Sequence, residues 1–217
     1  GCEIMLQSVK VVLLLLLLSV AIQDSLALQS FLQETSFPGL SFIQNAFGGG
    51  NNKVLLDKKR NELKLRLLEE CEKNTVDRGV VEELISELRT VSPIPNAASD
   101  PALNRKWLLQ WTSEKEINFF IDFKLCTEIY QIIDGAILEN MIPFKSGGYF
   151  GVKGSLSREP NGVRTYFEFS EATLSLGRWG KLQIPPIGKG WFDTVYLDGD
   201  IRVDTNSRND ILICRSK

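Results

Sequence analysis

The chain contains no histidine. That absence removes Ser-His-Asp and Cys-His nucleophilic catalysis, imidazole proton shuttles and most zinc sites. Cysteine is scarce and scattered: Cys2, Cys71, Cys126 and Cys214, with no Cys-x-x-Cys spacing. Cys2 falls in a leader-like stretch. The other three argue against a disulfide framework and for buried or free thiols. Net charge is nearly absent, at −2. Residues 1–34 hold one of the 25 basic residues (Lys10) and three of the 27 acidic ones (Glu3, Asp24, Glu34), so the rest is balanced at 24 of each. A balanced domain has no general field to attract nucleic acid, and that partner class is excluded. Phosphate loops are missing too. Gly147-Gly148 and Gly188-x-Gly190 lack a strand-to-helix context and a following Lys-Ser/Thr, so no cofactor is expected. What is present, 43% hydrophobic and 24% charged residues in 217, is enough for one globular domain with an extension.

Long apolar runs are limited to one. Lys10 precedes the leucine-rich run Val11–Val20, and Ser25-Leu26-Ala27 places small residues where a signal peptidase reads. Residues 1–27 therefore read as a signal peptide, too short for a span of about 20 residues; a short membrane anchor is the alternative. Gly1 opens the chain, and Met5 is a candidate translation start. Residues 28–52 carry no Lys or Arg and one acid, Glu34, and are rich in Ser, Asn, Gly and Phe. No steady period runs through them, so they are expected to be flexible. A signal peptide followed by such a segment, with Phe31 near the cleavage point, resembles the two-part presequence of algae with complex plastids. An ordinary secreted protein with a flexible N-terminus is the other reading.

Residues 53–217 carry the folding signals. Leu63, Leu67 and Cys71 share one helical face, and Val81, Leu84, Ile85 and Leu88 share another. The spacing predicts a helical pair over 53–90, broken at Asn74–Gly79, with Asp77 as N-cap of the second helix and Pro93 and Pro95 as its stop. From Lys106 the period changes to two. Strands are expected over Lys106–Thr112, Ile129–Asp134, Ile137–Pro143, Tyr149–Ser157, Val163–Phe169, Ala172–Arg178, Phe192–Leu197, Ile201–Asp204 and Ile211–Cys214. Hairpin turns fall at Gly147-Gly148 and Pro160-Asn161-Gly162. Many short strands joined by short turns predict a mainly β fold, an antiparallel β-barrel over 104–217 preceded by a pair of α-helices.

Six motifs occur in a familiar order. They are Thr75-x-x-Arg78-Gly79, Ser92-Pro93-Ile94-Pro95, Leu103-Asn104-Arg105-Lys106-Trp107, Gln131-Ile132-Ile133-Asp134, Glu139-Asn140, and the closing Asp193-Thr194-x-Tyr196-Leu197-Asp198-x-Asp200-x-Arg202-Val203. Together they resemble the plastid lipid-associated proteins, also called fibrillins or plastoglobulins, over roughly Lys53–Ile213. Arg105 and Asn209 stand where that family usually has Gly; Asn tolerates φ > 0 well enough to keep the turn. The resemblance implies a lipocalin-like barrel. It implies a non-catalytic protein of plastid membranes, thylakoid or plastoglobule, that binds or coats an apolar lipid or pigment such as a carotenoid, quinone or tocopherol. Scaffolding of an isoprenoid-synthesis enzyme is the other role it implies. Arg78, Gly79, Trp107, Tyr196, Asp198, Asp200 and Arg202 are its structural residues.

Trp107, Trp111, Tyr130, Phe150, Phe167, Phe169 and Trp191 are the aromatics expected to line or plug the barrel, since eight or so strands enclose room for side chains or one small ligand. Trp107 and Arg202 are expected to meet at one end by cation–π contact. Trp179-Gly180 and Ile184-Pro185-Pro186-Ile187 form a loop suited to dipping into a lipid monolayer or to folding over the mouth. Asp198, Asp200 and Asp204 fail as a calcium loop, because Val203 stands where Gly is required and Arg202 on a ligand position. Two alternatives stay open: an enzyme acting on lipid through Glu128, Asp134, Glu139 or Glu168, and a secreted lipocalin-like carrier.

Overall fold

In the computed structural model, residues 51–217 are described, apart from 186 and 187. The expected signal peptide over 1–27 and all of the expected flexible segment over 28–52 except Asn51 and Asn52 lie outside the described residues; those two open the first helix. Two helices come first, α1 (Asn51–Cys71) and α2 (Arg78–Thr90). Asp77 caps α2: its side chain accepts from the amides of Gly79 (2.9 Å) and Val80 (3.3 Å). A Cβ on Gly79 would stand 3.2 Å from that carboxylate oxygen, so the Arg78-Gly79 pair is part of the cap. Arg78 also donates to the Asn209 carbonyl at 3.1 Å, tying the helical turn to the final hairpin, where Asn209 adopts φ 60°.

Nine antiparallel strands follow: β1 (Lys106–Thr112), β2 (Tyr130–Asp134), β3 (Ile137–Pro143), β4 (Tyr149–Arg158), β5 (Arg164–Ser175), β6 (Lys181–Ile184), β7 (Lys189–Leu197), β8 (Ile201–Asn206) and β9 (Ile211–Ser216). Their order is β4-β3-β2-β1-β9-β8-β7-β5, and a β4–β5 pairing closes these eight into a barrel. β6 pairs with the far half of β5, in line with β7 on the same edge. The two segments expected over Val163–Phe169 and Ala172–Arg178 are one strand, β5, carrying a register shift opposite Lys153/Gly154. At that bulge a Cβ on Gly154 would lie 2.1 Å from the Glu168 carbonyl, so only glycine fits. Strand β6 and a short helix α3 (Lys115–Asp122) were not anticipated by the period-two reading.

The helices cover the outside of the barrel. Leu63, Leu67, Val81, Leu84, Ile85, Leu88 and Val91 form one core with Tyr196, Ile201, Val203, Ile211 and Ile213 from β7–β9. A second core, made of Ala97, Leu103, Trp107, Ile133, Leu138, Leu156, Phe192, Leu197 and Cys214, fills one end of the barrel from within. A staple fixes α1: the Lys64 ammonium lies 2.8 Å from Asp198 and 2.9 Å from Asp200. Asp198 also accepts from the Tyr196 hydroxyl (2.7 Å) and from the amides of Asp200 and Ile201. Burial works against ionisation of Asp198, but Lys64, Tyr196 and the two amides hold its carboxyl below the ordinary value. The Tyr-Leu-Asp-x-Asp motif is thus the seat of the helical pair.

Leu67 and Leu88 are fully buried between helix and barrel. Leu67→Ala should cost about 2–5 kcal/mol. The exposed Leu65→Ala should change stability by less than about 0.5 kcal/mol. Urea unfolding followed by circular dichroism checks both, and equal losses would refute the packing.

Candidate functional site: the barrel lumen

Strand pairing decides which residues face inward. Partners across an antiparallel pair point to the same face. From Trp107 and Cys214, members of the inner core, the inward set runs through Leu109, Gln131, Ile133, Leu138, Asn140, Ile142, Phe150, Val152, Leu156, Thr165, Phe167, Phe169, Ala172, Leu174, Phe192, Thr194, Leu197, Arg202 and Asp204. Three layers result. The closed end is plugged by Ala97, Leu103, Trp107, Ile133, Leu138, Leu156 and Leu197. Trp107 is locked there, its indole N–H donating to the Leu103 carbonyl at 2.9 Å.

Beside that plug lies a polar layer. Arg202 is fully buried; its Nε stands 2.9 Å from Asp204, and Nη2 donates to Gln131 at 2.5 Å. Gln131 in turn donates to Asn140 at 2.6 Å. Thr194 donates to the other oxygen of Asp204 at 2.8 Å. The guanidinium carbon sits 5.1 Å from the Trp107 ring and 5.8 Å from the Phe192 ring, so the cation lies against two aromatic faces. Burial pushes the Asp204 carboxyl up, against the pull of Arg202. Cys214 has its thiol pushed up to about 11 by burial, and Cys71 to about 12, which leaves neither as a nucleophile.

Toward the other end, Phe167 stands 5.0 Å from Phe169 and 6.4 Å from Phe192. Helix α3 and its neighbouring loops form the rim. Phe120 is buried and stacks on Phe144 at 6.3 Å. Lys145 N–H donates to the Leu125 carbonyl, and the Gly147–Gly148 turn abuts Ser175 and Gly177. These contacts place α3, the 144–148 turn, and the 176–180 turn with the start of β6 on one rim. Phe123 (66% exposed), Trp179 (65%), Leu182 and Ile121 are exposed there, among the exposed cations Lys124, Lys145, Arg178 and Lys181.

A charged latch ties α3 to the β8–β9 turn. Asn206 donates to Glu114 at 2.7 Å; Arg208 lies 2.9 Å from Glu116, 3.2 Å from Asp210 and 3.9 Å from Glu114. Three carboxylates share one guanidinium. Burial chiefly, helped by Asp210 and Glu116, raises Glu114 to about 7, against the pull of Arg208 and Asn206.

Of the seven aromatics expected to line the barrel, Trp107, Phe150, Phe167 and Phe169 face inward. Trp111 faces outward against the helices. Tyr130 faces outward under the Lys106 ammonium, 3.8 Å from its ring centroid, and Trp191 faces outward beneath Arg164 at 3.7 Å. Phe192, absent from the sequence-based set, takes the inward place beside Trp191. The four carboxylates of the enzyme alternative face away from the lumen. Glu128 pairs with Lys217, Asp134 and Glu168 are exposed, and Glu139 sits between the inward Leu138 and Asn140. The described part of the Pro-rich loop ends at the exposed Pro185 and resumes at Gly188; Pro186 and Ile187 lie outside the described residues. Among the described residues no group of acidic, Cys or His side chains is arranged to hold a metal ion, and no helix is long and apolar enough to cross a membrane.

The PAP_fibrillin family model matches residues 62–215. The chain is 35% identical over 142 residues to the probable plastid-lipid-associated protein 11, chloroplastic, of Arabidopsis thaliana, a stretch covering 61% of this chain and 66% of that relative. The match thus spans slightly less than two thirds of that relative's length. No solved structure matches.

Arg202→Ala should cost about 3–5 kcal/mol, because it strands a buried Asp204. Arg202→Met with Asp204→Leu should cost less than Arg202→Ala alone; a double loss equal to the two single losses combined would mean the pair is not coupled. Glu114 gives a pH signature. Its folded value near 7 lies above the ordinary carboxyl value of 4.5, so the folded state binds the extra proton between them. Its contribution is therefore present below about 4.5 and is lost as pH rises to about 7. Thermal melts from pH 4.5 to 7.5 should show this fall, and Glu114→Gln should flatten it.

Proposed function

The chain belongs to the PAP_fibrillin family, and from that premise we propose that it is a non-catalytic, lipid-associated protein of plastid membranes whose barrel takes up an apolar molecule. One observation carries the lumen reading. Leu109, Gln131, Asn140, Val152, Phe167 and Phe169 point into a closed barrel, yet each keeps solvent exposure. Inward side chains of a barrel filled by its own residues are sealed. Partial exposure at these positions supports an open throat above the polar layer.

The chemistry of the throat favours holding over turnover. Its carboxylate, Asp204, is committed to Arg202 and Thr194. The carboxylates considered for an enzyme face outward, and the thiols of Cys214 and the half-buried Cys71 are held protonated. Apolar burial along Phe167, Phe169, Phe192 and Leu109 supplies about 25 cal/mol per Å² removed from water. The rim supplies the route from a membrane: exposed Phe123, Trp179, Leu182 and Ile121 enter the interface, and Lys124, Lys145, Arg178 and Lys181 face anionic headgroups. The Arabidopsis relative is described as chloroplastic and plastid-lipid-associated, which supports a plastid location; within the plastid, the thylakoid or plastoglobule surface is the site of our proposal. Carotenoid, quinone or tocopherol is the class of cargo, and an isoprenoid-synthesis enzyme is the class of partner a scaffold role requires.

The full chain should float with liposomes carrying carotenoid or quinone and leave the lipid unchanged. Phe123→Ser with Trp179→Ser should weaken association by tenfold or more, since each buried aromatic contributes about 1.5–3 kcal/mol. Conversion of the lipid, abolished by Asp204→Asn, would establish an enzyme instead.

A further inference from the structure

Among the described residues, three buried side-chain atoms inside the barrel make no hydrogen bond: Nε and Nη1 of Arg202 and the hydroxyl of Thr165. Nε is nonetheless ion-paired, 2.9 Å from Asp204, and Nη2 donates to Gln131 and, at 4.0 Å, to Cys214. Nη1 and the Thr165 hydroxyl are the two orphans that remain. The two orphans face a common ring. Thr165 stands opposite Phe192 in the β5–β7 pairing, which puts their Cβ atoms about 4.5–5.5 Å apart. The Arg202 guanidinium lies 5.8 Å from the same ring. Buried donors without partners are rare in native folds and costly, so two around one side chain call for an acceptor that is not part of the chain.

We propose that the Arg202–Thr165 pocket beside Phe192 is a receptor for a neutral carbonyl oxygen at the end of an apolar molecule. This rests on the lumen-binding reading above and sharpens it. An oxygen with two lone pairs accepts from the guanidinium Nη1–H and from the threonine hydroxyl. Charge selects the neutral group. Asp204 already balances Arg202, so a carboxylate head would bring an uncompensated negative charge into the buried layer, next to Asp204. The apolar body then lies along Phe192, Phe167 and Phe169, the direction in which the lumen keeps its solvent exposure. A pure hydrocarbon fits that throat but leaves both donors unpaired. Selection between ketone and hydrocarbon therefore resides in these two groups, because a site built to hydrogen-bond discriminates strongly against an analogue lacking the partner atom.

The test uses the full chain with 2-dodecanone, dodecane and dodecanoate as probes. Affinities are read by calorimetry and by tryptophan emission, with Trp107 next to the pocket. The expected order is ketone about tenfold or more tighter than alkane, the gain of one good hydrogen bond, with the carboxylate weaker than the ketone. Arg202 variants also remove a fold support, so Thr165→Val is the deciding variant. It keeps the shape and removes the orphan hydroxyl. It should lower the ketone preference, with the Arg202 donor still in place, leave alkane affinity unchanged and keep or raise the melting temperature. Equal binding of ketone and alkane by the wild type would overturn the carbonyl receptor, with water as the natural partner of the orphans, and leave lumen binding standing. Tightest binding of dodecanoate would overturn the neutral-head selection. Loss of ketone and alkane affinity together in Thr165→Val would overturn the assignment of Thr165. No binding of any probe would overturn both this proposal and the lumen-binding reading on which it rests.

Discussion

A guanidinium inside a barrel is the constraint on which the rest of this molecule depends. Arg202 is buried completely, beside Asp204, Gln131, Trp107 and Phe192. An isolated charge of that kind costs far more than a small domain can spare, so its surroundings are arranged for it. Asp204 neutralises it from the same strand. Gln131 accepts from β2, and Asn140 on β3 holds Gln131 in turn. Trp107 from β1 and Phe192 from β7 present ring faces. One side chain thereby ties together five strands, counting β3 through Asn140, across the whole width of the lumen. That layer interrupts the hydrocarbon core, separating the plug at one end from the inward Ile142, Phe150 and Leu174 toward the rim.

The outside of the barrel follows from the inside. On β8 the charged residues Arg202 and Asp204 alternate with Ile201 and Val203. With the polar pair turned inward, the apolar pair must face outward, where it would meet water. The helical pair exists to cover it. Leu67, Val81, Leu84 and Leu88 bury Ile201, Val203, Ile211 and Ile213, and Lys64 locks onto the Asp198–Asp200 turn. Helices and barrel are therefore one folding unit by energetics. Removing α1 and α2 would expose the same aliphatic patch that orientation of Arg202 creates.

Much of this was legible from the chain itself. The helical faces, the Asp77 cap and most strands follow from period and turn chemistry, and the turn at Asn209 from the family resemblance. So does the meeting of Trp107 and Arg202, from the family motifs. What was not legible traces to bulges. Counting by twos from Trp107 puts Trp111 in the lumen, but a register shift between Leu109 and Trp111 turns it out. Counting back by twos from Leu197 selects Trp191, but the shift between Thr194 and Tyr196 turns Phe192 in instead. A single extra residue exchanges the two faces of a strand, and nothing in the composition of β1 or β7 announces it. Tyr130 fails differently. Its strand, Tyr-Gln-Ile-Ile-Asp, lacks a clean alternation, so the inward glutamine was hidden among apolar neighbours. Helix α3 is eight residues with a single fully buried side chain, too little to register as a face.

Those bulges also explain how one strand pair serves both faces at once. Without the shift in β7, Tyr196 and Thr194 would share a side. The tyrosine hydroxyl would then point at Asp204, and Asp198 would lose its seat under Lys64. With the shift, Thr194 turns inward to hold Asp204 while Tyr196 turns outward to hold Asp198. The inner ion pair and the outer staple are thus set two residues apart on the same strand by one irregularity. A change that straightened β7 would release the helices and misplace the partner of Arg202 together. The lining of the lumen and the covering of the barrel are in this sense a single structural decision, made at the Thr194–Tyr196 bulge.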